Sequence, residues 1–230
     1  MSNQARFPLL AMAILAAFSL ASCNSDNNSN PLAPAPPARV MAVHASPDAP
    51  AVDLLVDGSV AGTGLAFPNN TACLSVAAGT RNVKVNVSGT TTTVISADLP
   101  VTGGTNYTVF ASDVVASIGA VVLTDDLSAP ASGKAHVRFV HLSPDAPAVD
   151  VAVQGGPVLF ANKAFKQYTA FTPVDAGTYN LEVRLAGTAT VALPLNGIAL
   201  QAGKIYTVFA KGLLSGSGAQ ALGAQIIVNN

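Results

Sequence analysis

HASPDAPAVD at residues 44–53 returns as HLSPDAPAVD at 141–150, an offset of 97. The phrase concentrates the chain's chemistry: His44, Asp48 and Asp53, with His141, Asp145 and Asp150 as their twins. Carboxylates in a pre-formed turn suit a hard cation such as Ca²⁺, which takes about six to eight oxygen ligands. Two carboxylates and one imidazole fall short of that count unless backbone carbonyls and water complete it. The spacing His-x3-Asp-x4-Asp fits neither an EF-hand loop nor a zinc signature. A purely structural corner is the favoured reading, and a corner that contacts a small ligand without metal is the other alternative. In the structural reading each imidazole is half buried, donating a ring N–H to a turn carbonyl or to its own Asp48 or Asp145, and Asp53 points to solvent.

Catalysis finds little to build on. The chain has no Gly-x-Ser-x-Gly elbow, His-Glu-x-x-His, P-loop or Rossmann fingerprint. Glu182 is its one glutamate, and His136 aligns with Arg39 in the other copy, which makes it a poor candidate base. A non-enzyme is expected, with a hydrolase as the distant alternative. Basic and acidic side chains number 11 and 12, and no basic run is present to meet phosphates, so nucleic acid is disfavoured. The absence of Trp and the presence of only four Tyr weaken carbohydrate recognition on aromatic platforms. A protein surface is the favoured partner, and sheet edges that accept a neighbour's strand are one way to meet it.

The elements that must position these residues are strands. Val52, Leu54 and Val56 alternate with Asp53, Leu55 and Asp57, and Val149, Val151 and Val153 repeat the pattern, as a strand with one buried face requires. Before it, Ser46-Pro47 and Ala49-Pro50 make a stiff connection, because proline fixes its own φ and restricts the residue ahead of it. Asp48 is placed to accept an N–H two residues on and close that corner. Asp57-Gly58 and Gly155-Gly156 then supply the positive φ that tight hairpins need. FPNNTACLSVAAGT (67–80) returns as FKQYTAFTPVDAGT, NYTVFA (106–111) as IYTVFA, and SIGAVVLTDD (117–126) as ALGAQIIVNN, at offsets of 98, 99 and 104. The growing offset is what loop insertions between two copies produce. Seven or eight short strands per copy without a helix read as a β-sandwich: repeat 1 over 39–127, a linker over 128–134, and repeat 2 over 135–230. Cys73 aligns with Phe171 and is expected in a buried apolar slot.

Ahead of the repeats, Arg6 and the apolar run from Phe7 to Ala21 read as an export signal over residues 1–22, too short for a membrane span. Leu20-Ala21-Ser22-Cys23 resembles the lipobox of bacterial lipoproteins, which implies acylation (palmitate and other chains) of Cys23 and membrane attachment. Asn24, where Asp is the usual inner-membrane retention signal in enterobacteria, favours the outer membrane. Residues 23–38, rich in Asn, Ser and Pro, read as a disordered tether.

The Ala-Gly-Thr turn before an alternating strand, AGTRNVKVNV and AGTYNLEVRL, resembles the corner of Ig-like and transthyretin-like modules. From Arg39 to Asn230 the chain further resembles the DUF4397 family of bacterial envelope proteins, with its phrases His-x-Ser-Pro-Asp-Ala-Pro-x-Val-Asp, Val-Asp-Gly, Ala-Gly-Thr-Tyr and Tyr-Thr-Val. It departs at Gln154 and at Arg81, so Asp57 and Tyr179 read as turn and packing residues. The expectation is an all-β lipoprotein with two tandem Ig-like/transthyretin-like antiparallel sandwiches. It would act as a structural, adhesive or interaction module without a cofactor; binding of a small ligand or Ca²⁺ at the two corners is the alternative.

Overall fold

Eight strands form in each copy. In the first module they are β1 (Ala38–Ala45), β2 (Val52–Val56), β3 (Ser59–Leu65), β4 (Leu74–Val76), β5 (Gly79–Val87), β6 (Thr93–Val101), β7 (Asn106–Ser112) and β8 (Gly119–Asp125). In the second they are β9 (Lys134–His141), β10 (Val149–Val153), β11 (Val158–Lys163), β12 (Thr172–Asp175), β13 (Gly177–Leu185), β14 (Val191–Leu200), β15 (Ile205–Lys211) and β16 (Gly223–Val228). The computed structural model describes residues 35–230; the leader, Cys23 and the tether up to residue 34 lie outside the described residues. Ala38, assigned above to the tether, is fully buried and already part of β1.

Each module is a sandwich of two four-stranded sheets. Their orders are β4-β1-β7-β8 facing β3-β2-β5-β6, and β12-β9-β15-β16 facing β11-β10-β13-β14. In Ig constant-type sandwiches the first two strands share a sheet. Here they lie in opposite sheets, which is the transthyretin-like form of the sandwich. Pairing is antiparallel with one exception per module: β1 runs parallel to β7, and β9 to β15. The exception follows from the corner, which carries the chain out of β1 into the other sheet and leaves its neighbour place to a later strand.

Asp57 and Gly58 both take positive φ, 49° and 78°, and close β2 onto β3 as a two-residue hairpin. The second module departs from the expected Gly-Gly turn. Gly155 alone is left-handed there, and the loop is widened by a Val153 N–H to Pro157 carbonyl bond. The two departures from the family phrases fall on one pair of positions: Arg81 pairs with Asp57 at 3.0 Å in the first module, and the counterparts in the second are the uncharged Tyr179 and Gln154.

Strands β1, β7, β9 and β15 are buried along most of their length rather than on alternate residues. One face of each looks into its own sandwich; the other meets the opposite module. Val43, Ala45, Phe110 and Leu123 pack with their counterparts Val140, Leu142, Phe209 and Ile227 in a single core, and Phe110 meets Phe209 edge-on at 5.4 Å. Equivalent residues meeting equivalent residues is the geometry of an isologous dimer interface, here within one chain.

A polar network runs beside that core. The Arg138 guanidinium lies 2.7 Å from the Asp125 carboxylate, with both side chains at most 4% exposed. Thr108 donates to Asp125 (2.6 Å), Arg138 Nε to Thr207 (2.8 Å), and Thr207 to Asn229 (2.8 Å). Asn229 returns N–H bonds to Thr108 and Asp125 at 3.1 and 3.3 Å. Burial lowers the Arg138 pKa, and the Asp125 charge opposes that shift. At the corner end, Lys166 reaches Asp113 of the first module at 2.8 Å, and Lys211 lies over the Phe67 ring.

Candidate functional site

His44 projects into its own sandwich, on the face of β1 shared with Val40 and Ala42; the proline-rich segment then crosses to β2 in the facing sheet. The bond that closes this corner is Nε2–H of His44 donating to the Pro50 carbonyl at 3.0 Å, repeated by His141 and Pro147 at 3.0 Å. A carbonyl only accepts, so the ring proton sits on Nε2 and Nδ1 is left as a bare acceptor. Neither Nδ1 has a partner in the chain. Half burial was the expectation; both rings are 0% exposed, because each points into its own sandwich beneath the proline-rich corner that its Nε2–H bond closes. Phe67 and Phe165 approach them edge-on at 6.2 and 6.5 Å. Desolvation holds both imidazoles below the usual histidine value of 6.5, with the turn-carbonyl bond acting weakly the other way.

The carboxylates do different work from that assigned by sequence. Asp48 does not close its own turn. It accepts the Val115 N–H at 2.8 Å from the loop between β7 and β8, with the Ser46 hydroxyl 3.5 Å away. Asp145 accepts the Leu214 N–H on both oxygens, at 2.9 and 3.0 Å. These bonds tie each corner to the loop at the far end of the module's sequence.

Asp53 does not simply face solvent either. It accepts from Gly64 N–H (2.8 Å), Gly89 N–H (3.0 Å) and the Ser88 hydroxyl (2.8 Å), pinning the end of β3 and the loop between β5 and β6. Those donors, Gly89 foremost, hold its carboxyl below the ordinary aspartate range. Asp150 does the same with Asn162 and Gly187 at 2.7 and 2.9 Å. Among the described residues no group of three or more His, Cys, Asp or Glu side chains is placed to hold a metal ion. Thus His44, Asp48 and Asp53 share a phrase without sharing a site, and so do His141, Asp145 and Asp150.

An Asp48→Ala/Asp145→Ala variant should therefore speed amide hydrogen exchange at Val115 and Leu214, with the same Tm shift, none, in millimolar Ca²⁺ as without it. A wild-type Tm that rises with Ca²⁺ and a variant Tm that does not would return the corner to cation binding.

Cys73 is a correction: it is exposed, not buried. In the second module Phe171 is partly covered because Arg138 stacks 4.4 Å above its ring, and the first module has Met41 at the position of Arg138. Sequence reasoning also passed over Asp125, Arg138 and Asn229. Their signature is a mismatch between copies, Met41 against Arg138 and Asp125 against Asn229, inside blocks that otherwise match.

Among known proteins, a family model described as "Domain of unknown function (DUF4397)" matches residues 38–152, the whole first module with β9 and most of β10. No curated protein matches the chain.

Proposed function

The chain belongs to the DUF4397 family, and from that premise we propose that it is a non-catalytic lipoprotein of the bacterial cell envelope, whose paired sandwiches form a rigid interaction body. Cys23 carries the acyl chains, residues 24–37 space the folded part from the bilayer, and the outer membrane is the destination. The partner is another envelope or extracellular protein.

One observation carries the reading. The polar groups of the repeated phrase are engaged inside the fold, and the two modules share a buried core and an ion pair. Such a body resists bending between its halves and offers outer sheets and edge strands to a partner. The edge strand β3 presents Val60 at 63% exposure, and β11 presents its counterpart Val158 at 45%.

Anchoring is checked in the producing bacterium. Wild-type protein should fractionate with membranes and yield an acylated peptide beginning at Cys23, and Cys23→Ser should move it to the soluble fraction. One acyl chain binds only marginally, so the peptide should carry more than one. A free, unmodified thiol at position 23 would defeat the proposal. Turnover of any substrate in an esterase, glycosidase and protease panel would defeat its non-catalytic part.

A further inference from the structure

The first module has a cavity where the second has two phenyl rings. Between its facing sheets lies a space of about 260 Å³ walled by aliphatic side chains, among them Val52, Leu54, Val85, Ile95 and Val109. The space lined by Phe139 and Phe160 in the second module is about 20 Å³, and it matches a separate small space of about 30 Å³ in the first. Ala42 lines the cavity, and Gly62 neighbours the lining residue Leu54 without lining the cavity itself. Ala42 on β1 aligns with Phe139 on β9, and Gly62, opposite Leu54, aligns with Phe160, opposite Val151. Phe139 and Phe160 lie near-parallel, 6.4 Å apart, in one continuous core, whereas the buried residues of the first module fall into two clusters.

Gly62 is not demanded by the backbone. It lacks a left-handed φ, and a Cβ there would meet nothing nearer than Thr71 Cγ2 at 3.6 Å, an ordinary contact. The fold therefore accepts a plug, uses one in the second module, and does without it in the first. Close-packed interiors hold few voids larger than a water molecule, and unfilled core volume is destabilising, so a cavity of this size fits a binding role better than a packing role.

The cavity's shape and walls indicate its guest. It opens between edge strands β6 and β8, where Ala97, Asp98, Ala120 and Val122 are solvent-exposed. His44 stands behind the wall but exposes no surface to it, so the buried part of the cavity offers a guest only apolar contacts. A dry apolar cavity of roughly 150 Å³ takes benzene, so about 260 Å³ suits a molecule of about ten heavy atoms. We propose that the first module binds small, largely apolar molecules of the alkylbenzene class, with ring and chain buried against the aliphatic walls and any polar group left at the mouth between β6 and β8. The second module, its space filled, does not.

The test uses the full chain and 4-propylphenol, with calorimetry and thermal melting as readouts. Saturable binding of one molecule per chain is expected, with a Tm that climbs as probe concentration rises. The variant Ala42→Phe/Gly62→Phe, which installs the second module's plug, should lose binding while keeping a Tm at or above wild type. Ala42→Leu, a smaller plug that strains the core less, should weaken binding in the same direction. 4-Propylanisole, the ether without a donor, should bind wild type within about twofold of the phenol, because the buried walls offer the hydroxyl no partner. No binding to wild type at millimolar probe, or unchanged affinity in a folded plugged variant, overturns the site. A phenol that binds more than about tenfold tighter than the ether overturns the apolar reading of the walls.

Discussion

Arg138→Met is expected to destabilise the folded chain by about 3–5 kcal/mol, because it strands the Asp125 carboxylate in a site that water does not reach. The companion result is more telling. Adding Asp125→Asn to Arg138→Met should restore most of that loss, since the paired positions of the two modules then carry the same neutral residues, as Met41 and Asn229 already are. Replacing a buried ion pair by neutral residues of similar volume is often close to neutral. Recovery should stop short of complete, because the guanidinium also covers the Phe171 ring, a contact worth about 0.5–2 kcal/mol. Urea unfolding of wild type, both single variants and the double variant closes the cycle. If the double variant costs the sum of the singles, Asp125 and Arg138 are not coupled and the modules are not held by this pair.

Acidification should weaken the protein in a window that opens near pH 6.5. His44 and His141 are held below that value by burial, so above it both the folded and unfolded chains carry neutral rings and nothing changes. Below it the unfolded chain takes up protons that the folded chain refuses, and stability falls until the pH reaches the folded values. Each ring contributes about 1.4 kcal/mol per pH unit across that window. Two rings double that slope, and the total loss is set by how far burial has lowered their pKa values. His44→Gln/His141→Gln keeps a donor for the Pro50 and Pro147 carbonyls but removes the titrating rings, so its stability should be much flatter between pH 7 and 5. His136 is present in both proteins and cancels in the comparison. Parallel curves for the two proteins would refute the argument.

The fold was legible from local patterns. Val52, Leu54 and Val56 announce a strand by period two, Asp57-Gly58 announces its hairpin, and the proline pair announces the corner, because each signal depends on residues close together in the chain. The candidate site was legible only in part. That His44 and His141 brace their own turns follows from the distance to Pro50 and Pro147, six residues on. That Asp48 and Asp145 bind loops 67 and 69 residues away follows from nothing local.

Duplication, all-strand architecture and the stiff corners were determined by the amino-acid sequence alone, since repetition, alternation and proline geometry are properties of the chain before it folds. The opposite face of β1 and β9 was decided by tertiary structure: a two-residue period separates two faces and is silent about what covers each. The cavity was decided the same way. Ala42 is an unremarked small residue on β1, and only the strands that face it across the sandwich turn its missing ring into part of a cavity.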